Sequence, residues 1–410
     1  MSRPDRPQPA PLALTIAIVT ETYPPEINGV ANTMYQLVSG LQQRGHRLTL
    51  IRPRQQGESW PREAHPAATP APVLVLVPGL PIPGYRGLRF GLPVYWQLRR
   101  RWRRARPDAV YIATQGPLGH AALHTARMAR LPVLTGFHTQ FDQYTRYYGV
   151  GLLKRFIVDG LRRFHNRGDA TLVPTAALEQ QLERDGFENL EIFSRGVDTR
   201  RFSPAHRSAD LRRAWGCGDD TLVVLYVGRI AAEKNIALAV MAYQVIAAAC
   251  PHSRAVFVGD GPELPRLRRE HPEFVFTGAR VGADLATHYA SADLFLFPSL
   301  TETFGNVVTE AMASGLPVVA FDYAAAREHL RHGQTGYTVP RGDAAGFIAT
   351  ATAAAVARPG LARIGAAARQ QAESLSWERV IRGVEQRLLE VIQRHSDPDR
   401  HHETMAATTE

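Results

Sequence analysis

The chain has 410 residues, 45% of them hydrophobic and 21% charged, with a formal net charge of +10. That length exceeds a single hydrophobic core and implies two domains with a cleft between them. Cys217 and Cys250 are the only cysteines, which excludes a disulfide framework or a cysteine metal site.

The chain opens with MSRPDRPQPAPLAL, which lacks the apolar centre of a signal peptide, and no later run is long enough to span a bilayer. The expected location is therefore the cytoplasm. Short apolar runs then alternate with amphipathic helical stretches, the pattern of parallel sheets covered by helices. In the first half the predicted strands are LTIAIVT (14–20), RLTLIRP (47–53), PVLVLVP (72–78), DAVYIAT (108–114), PVLTGFH (132–138) and ATLVPT (170–175). RGVDTRRFSPAHRSADL (195–211) has little periodicity and reads as a linker. The second half continues with TLVVLYVG (221–228), SRAVFVG (253–259), EFVFTG (273–278), DLFLFPS (293–299) and LPVVAF (316–321). The fold class is α/β, with two doubly wound Rossmann-like domains over residues 12–200 and 201–376. A helix at 377–395 and a disordered tail at 396–410 complete the chain.

Ligands of such sheets bind beyond the carboxyl ends of the strands, so the informative residues lie just after each strand. After the first strand, Asn28-Gly29 opens a helix, either as a plain turn and cap or as a place where a ligand approaches bare backbone N–H groups. The segment Tyr85–Arg106 carries eight arginines, Arg99 and Arg100 among them, and no acid, with Phe90, Tyr95, Trp96 and Trp102 interleaved. That composition suits an anionic membrane surface; an ordinary basic helix and a nucleic-acid surface are the other readings, the last not favoured. His138 ends the fifth strand ahead of Asp142, Tyr144 and Arg146, as a structural residue or as one facing the cleft.

Arg229 follows a buried strand directly and Lys234 starts the next helix, a fork and a point charge suited to a diphosphate. Lysine occurs only at Lys154 and Lys234, so 48 basic residues less these two leaves 46 arginines; a lysine kept against that bias marks a site wanting a compact ammonium. FVGDGPELPRL (257–267) is a glycine turn that needs no function beyond connection. In TETFGNVVTEAM (301–312), Glu302 stands in a loop, Thr303, Phe304, Gly305, Asn306 and Val307 form a helix entrance, and Glu310 sits about two turns further on. Backbone amides there suit a phosphate or sugar hydroxyl, and the acids suit sugar and ribose hydroxyls; a dipole-favoured anion and an exposed helix residue are the plainer alternatives.

VGRIAAEKN, GDGPEL, the stretch from FTGARVGADLATHYASADLFLFPSLTETFGNVVTEAMASGLPVVA, and GQTGYTVP, with TYPPEINGVANT and GFHTQFDQY earlier, resemble the retaining, nucleotide-sugar-dependent glycosyltransferases of the GT-B fold, family four. The similarity covers about residues 14–375, and RYYG and SRGVD in the first half look most like the branch making bacterial glycolipids with mannose, glucose or sulfoquinovose. The resemblance implies that Arg229 and Lys234 hold the donor diphosphate, Glu302 touches the sugar and Glu310 the ribose. It places Thr303 and the amides of Phe304 to Val307 on sugar and phosphate, His138 on the sugar, Gly29 near the phosphate and Arg280 beside the base. Asp142, Tyr144, Arg99, Arg100 and Trp102 would belong to the acceptor or membrane side. The implied donor is a GDP- or UDP-sugar and the acceptor a lipid such as diacylglycerol or a glycolipid, used by a peripheral membrane enzyme with no cofactor and no metal. Two departures stand out: one glycine, Gly29, where many relatives have a pair, and Gln140 where relatives often have aspartate. Polysaccharide or lipopolysaccharide assembly, a nucleotide-sugar epimerase or phosphorylase on the same fold, and a basic membrane-binding or nucleic-acid-binding protein with a relic sugar site are the rival functions.

Overall fold

The computed structural model describes residues 13–26, 28–55, 58, 72–81, 89–138 and 151–396, with residues 151–155 as backbone only. The expected tail beyond 396 and the segment holding Asp142 and Tyr144 lie outside these residues.

The first half contains β1 (Thr15–Val19), β2 (Arg47–Pro53), β3 (Val73–Val77), β4 (Gly79–Pro81), β5 (Arg89–Gly91), β6 (Ala109–Ile112), β7 (Val133–Gly136), β8 (Ala170–Val173) and β9 (Leu190–Ile192). Among the described residues, seven of them form a parallel sheet in the order β3-β2-β1-β6-β7-β8-β9, and β4 pairs with β5 as a small antiparallel ribbon. The second half contributes β10 (Leu222–Val227), β11 (Ser253–Val258), β12 (Val275–Gly278), β13 (Leu294–Phe297), β14 (Val318–Phe321) and β15 (Tyr337–Val339), in the parallel order β12-β11-β10-β13-β14-β15. Central strands such as β10 and β13 are buried at every position, so they read as continuous apolar runs. In both sheets the order reverses between the first and fourth parallel strand. That switch, β1/β6 in one sheet and β10/β13 in the other, opens the crevice where loops collect.

The three-residue strands β4, β5, β9 and β15 have too few residues to show a period, and the sequence did not reveal them. Segment 195–211 is more than the linker expected: Val197 bridges to Ser376, and Phe202 is buried in the second core beside Tyr289. The last helix, Trp377–Ser396, returns to the first domain. Its Ile381, Val384, Leu388 and Val391 pack with Met34, Leu37 and Leu41 of the helix Gly29–Gln43. A Cβ at Gly40 would lie 1.9 Å from Ile381 Cδ1, so the two helices approach over a glycine. Each large apolar side chain so buried contributes about 1.5–3 kcal/mol. Glu385 accepts from Arg44 Nε at 2.7 Å and lies 2.8 Å from His46 Nε2, locking the register.

The basic helix spans Tyr95–Arg104. Leu98 and Trp102, four apart and therefore on one face, are buried in the first core at 2% and 4% exposure. Trp102 is thus a core residue, correcting its placement on an acceptor or membrane surface. The opposite face carries Trp96, 79% exposed, with exposed Arg99, Arg100, Arg103 and Arg104, and the Arg99 guanidinium lies 5.8 Å from the Trp96 ring centre. No described helix is long and apolar enough to cross a membrane.

Candidate active site

β10 ends at Val227, and the chain then folds over the strand end through Gly228, Arg229 and Ile230. Ile230 N–H donates to Asp260 O at 2.9 Å, and Glu263 N–H donates to Ile230 O at 3.1 Å. A Cβ on Gly259 would lie 1.9 Å from Gly228 O, and one on Gly261 would lie 2.2 Å from Ile230 O. The GDG turn after β11 is therefore more than a connection: its bare backbone clamps the arginine loop. Tyr226 Oη donates to Arg229 O at 3.0 Å, and the half-exposed Arg229 side chain reaches Glu233 Oε1 at 2.8 Å.

Lys234 ends a short 3₁₀ turn, Ala232–Lys234, and crosses the switch point to the loop after β13. Its Nζ donates to Glu302 Oε1 at 2.5 Å and to Thr301 O at 3.1 Å. The two side chains are only 18% and 14% exposed, so the pair sits where water screens charge weakly. Thr301 Oγ1 donates to Glu233 O at 2.9 Å, and Asn235 Nδ2 donates to Pro298 O at 3.2 Å, tying the two post-strand loops into one unit.

Gly305 precedes the helix Asn306–Ala313 with φ 88° and ψ 61°, a left-handed conformation that favours glycine. Val308, Ala311 and Met312 anchor the helix in the core. Glu310 leaves that apolar run toward Tyr289, whose Oη donates to Glu310 Oε2 at 3.0 Å. Crowding by protein atoms pushes the Glu310 carboxyl up to about 7, although part of its surface remains accessible. The acid in this otherwise interior-bound helix is thus a partly accessible carboxyl held by Tyr289.

From the other domain, Asn28 Oδ1 accepts from Ala31 N–H at 2.8 Å and caps the helix Gly29–Gln43. A Cβ on Gly29 would lie 3.6 Å from both Arg195 Nη1 and Asn306 Nδ2, so this glycine is where the domains meet. His138 is buried at 8% exposure, with Nε2 3.0 Å from Tyr111 Oη and Nδ1 3.3 Å from Arg195 Nη2. A guanidinium only donates, so Nδ1 accepts and the ring proton resides on Nε2. Burial, then the charge of Arg195, holds the imidazole pKa well below its ordinary value. The His138 ring is engaged on both nitrogens, and its carbonyl accepts from Thr303 Oγ1 of the other domain at 3.3 Å.

The fold thus gathers Lys234, Glu302, Thr303, Phe304, Gly305 and Asn306 with Gly29 and His138, with Arg229 on the clamped loop, Val307 half-buried in the helix first turn, and Glu310 further along it. Arg280 is not gathered in: it follows the edge strand β12, two strands from β10, and its guanidinium binds Thr277 O at 2.8 Å and Asp284 Oδ2 at 3.1 Å. Arg99 and Arg100 belong to the separate basic helix. Sequence reasoning missed Arg195, buried at 4% exposure between His138 and Gly29 with its guanidinium 5.9 Å from the Phe304 ring centre. The strand-end rule would have found it, but β9 is only Leu190–Ile192 and was not visible as a strand. Among the described residues no three His, Cys, Asp or Glu side chains converge as a metal site.

Residues 27–201 match the family described as Glycosyltransferase Family 4, and residues 221–355 match Glycosyl transferases group 1. A "GDP-mannose-dependent alpha-mannosyltransferase" of Mycobacterium tuberculosis is 35% identical over 80% of this chain and 84% of its own length. An "Alpha-monoglucosyldiacylglycerol synthase" of Acholeplasma laidlawii is 29% identical over 75% of this chain and 80% of its length. The crystal structure of Anabaena Alr3699/HepE with UDP and glucose superposes with a TM-score of 0.71 at 18% identity, covering 92% of this chain and 100% of that one. Two parallel-sheet domains, switch-point loops carrying the cations and acids, and this kinship together place the chain among the family-four, group 1 glycosyltransferases of the GT-B fold.

Proposed function

We propose that the protein transfers a hexose of the mannose or glucose type from a nucleoside-diphosphate sugar to a lipid or lipid-linked acceptor, with retention of anomeric configuration. The observation that carries this reading is the Lys234–Glu302 pair, 2.5 Å apart at the β10/β13 switch beside the Asn306–Ala313 helix entrance. Lys234 and Arg229 neutralise the departing diphosphate with the first helix amides, and no metal enters this scheme. The bond from the anomeric carbon to the diphosphate oxygen breaks while the acceptor oxygen bonds to the same face of that carbon. The acceptor hydroxyl proton passes to the leaving phosphate. Glu302 receives sugar hydroxyls and orients Lys234, and Glu310 receives the ribose hydroxyls. His138, with both ring nitrogens occupied, shapes the sugar side and does not shuttle a proton.

GDP-mannose is the favoured donor because relatives at 32–35% identity carry it in their names. A lipid acceptor is favoured by the diacylglycerol and phosphatidylinositol dimannoside named in others. The exposed arginine face with Trp96 suits an anionic leaflet, so the enzyme works peripherally at the cytoplasmic side of a membrane. Purified protein given GDP-mannose or UDP-glucose with vesicles containing diacylglycerol or a monoglycosyl lipid tests the reading by mass spectrometry. A hexosyl lipid made from one donor supports it. Failure of every donor to transfer overturns it, and donor conversion without acceptor would indicate an epimerase.

A further inference from the structure

Arg195 lies within the segment expected to be a linker, yet only 4% of it is exposed. Desolvating a guanidinium is costly unless it is paired. No described carboxylate forms an ion pair with Arg195, and Glu302, itself bonded to Lys234, acts on it only from a distance. Among the described residues its contacts are to neutral groups: Gly29 O at 3.4 Å, His138 Nδ1 at 3.3 Å and the face of Phe304. Both hydrogen bonds are long, and the Nε–H is buried with no partner among the described residues. Asn306 Oδ1, in the first helical residue across the cleft, is likewise buried with no partner among the described residues, and Asn306 Nδ2 and Arg195 Nη1 flank the same bare face of Gly29. Desolvation lowers the Arg195 pKa to about 10, leaving it cationic at neutral pH.

A buried cation with spare donors, held by neutral acceptors beside a helix entrance and a side-chain-free backbone, lacks an anion among the described residues. We propose that Arg195 is a third phosphate-binding cation, supplied by the connection between the domains, which donates to the sugar-proximal phosphate of the donor diphosphate. Arg229 and Lys234 approach that group from the second domain. Arg195 approaches it from the Gly29 side, so it is engaged only when both domains face the ligand. It therefore recognises a diphosphate and not a monophosphate, whose single phosphate sits nearer the nucleoside. The inference rests on the donor-site reading above, and its test separates the two.

Calorimetry would measure binding of GDP, UDP, GMP and UMP to the wild-type chain and to Arg195→Gln and Arg195→Lys. In Arg195→Gln the preferred diphosphate is expected to bind about 10- to 100-fold more weakly, the loss of a charge-assisted hydrogen bond, with the matching monophosphate unchanged. Arg195→Lys should recover part of the loss. Equal diphosphate affinity in wild type and Arg195→Gln, or an equal loss for mono- and diphosphate, overturns the proposal. Wild-type protein that binds no nucleoside diphosphate overturns the donor-site reading itself. Should Arg195→Gln fail to fold, a crystal of the wild-type protein with the diphosphate decides. An Arg195 nitrogen about 2.7–3.2 Å from a phosphate oxygen sustains the proposal, and an intervening gap wide enough for another side chain refutes it.

Discussion

Lys234→Ala removes one half of a pair 2.5 Å apart whose side chains are 18% and 14% exposed, leaving Glu302 alone beside the helix entrance. Two effects follow. Stability falls by about 3 kcal/mol, the lower end of the cost of orphaning a mostly buried charge. Catalysis falls further, because the site loses a cation and keeps an anion where phosphate charge develops. At roughly 4 Å and an effective dielectric of about 20, one unit charge is worth about 4 kcal/mol, which corresponds to roughly a thousandfold in rate. Chemical denaturation gives the first quantity, and kcat/KM for hexose transfer to lipid vesicles gives the second. Adding Glu302→Gln to Lys234→Ala should restore most of the stability, since no ionised carboxylate remains unpaired. It should not restore turnover, because the proposed mechanism also gives Glu302 the sugar hydroxyls. A Lys234→Ala enzyme within about threefold of wild type in kcat/KM would refute the charge argument. A double variant that regained turnover would refute the sugar contact.

Nucleoside diphosphate affinity should rise about tenfold between pH 6 and pH 8 through Glu310, whose carboxyl is pushed from its ordinary 4.5 to about 7 by burial, since only the ionised form receives both ribose hydroxyls. Isothermal titration of Glu310→Gln against wild type at each pH isolates this term from the titration of the nucleotide, and identical pH profiles would exclude it. The same raised pKa makes ionisation costly to the fold, so wild type should lose stability relative to Glu310→Gln as pH climbs from 4.5 to about 7. Gly259→Ala should cost about 2–3 kcal/mol and also depress turnover, because the new methyl would sit 1.9 Å from Gly228 O and push the Arg229 loop; unaltered turnover in the folded variant would show the clamp to be dispensable. Arg99→Ala with Arg100→Ala should weaken pelleting with anionic vesicles by roughly 30-fold at low salt, at about 1 kcal/mol per arginine. Trp102→Ala should instead unfold the first domain by about 3–5 kcal/mol, as loss of a buried indole does, and lipid binding lost without any stability change would return Trp102 to the surface.

The sequence by itself determined the two parallel sheets, because strands buried on both faces leave unbroken apolar runs and their loops must carry polar residues at the strand ends. It also marked the post-strand loops of β10 and β13, since Arg229 with Lys234 and Glu302 with Gly305 are each short-range patterns that follow one strand. Only the tertiary structure decided what depends on helical phase or on segments far apart in the chain. Trp102 and Trp96 share one basic helix, yet one is core and the other surface, because six positions at about 100° each leave them about 120° apart around the axis. Arg195 carries no local signal, since its significance arises where residues 29, 138, 195 and 304 converge from different elements. A buried charge is recognised by what surrounds it, and folding alone assembles those surroundings.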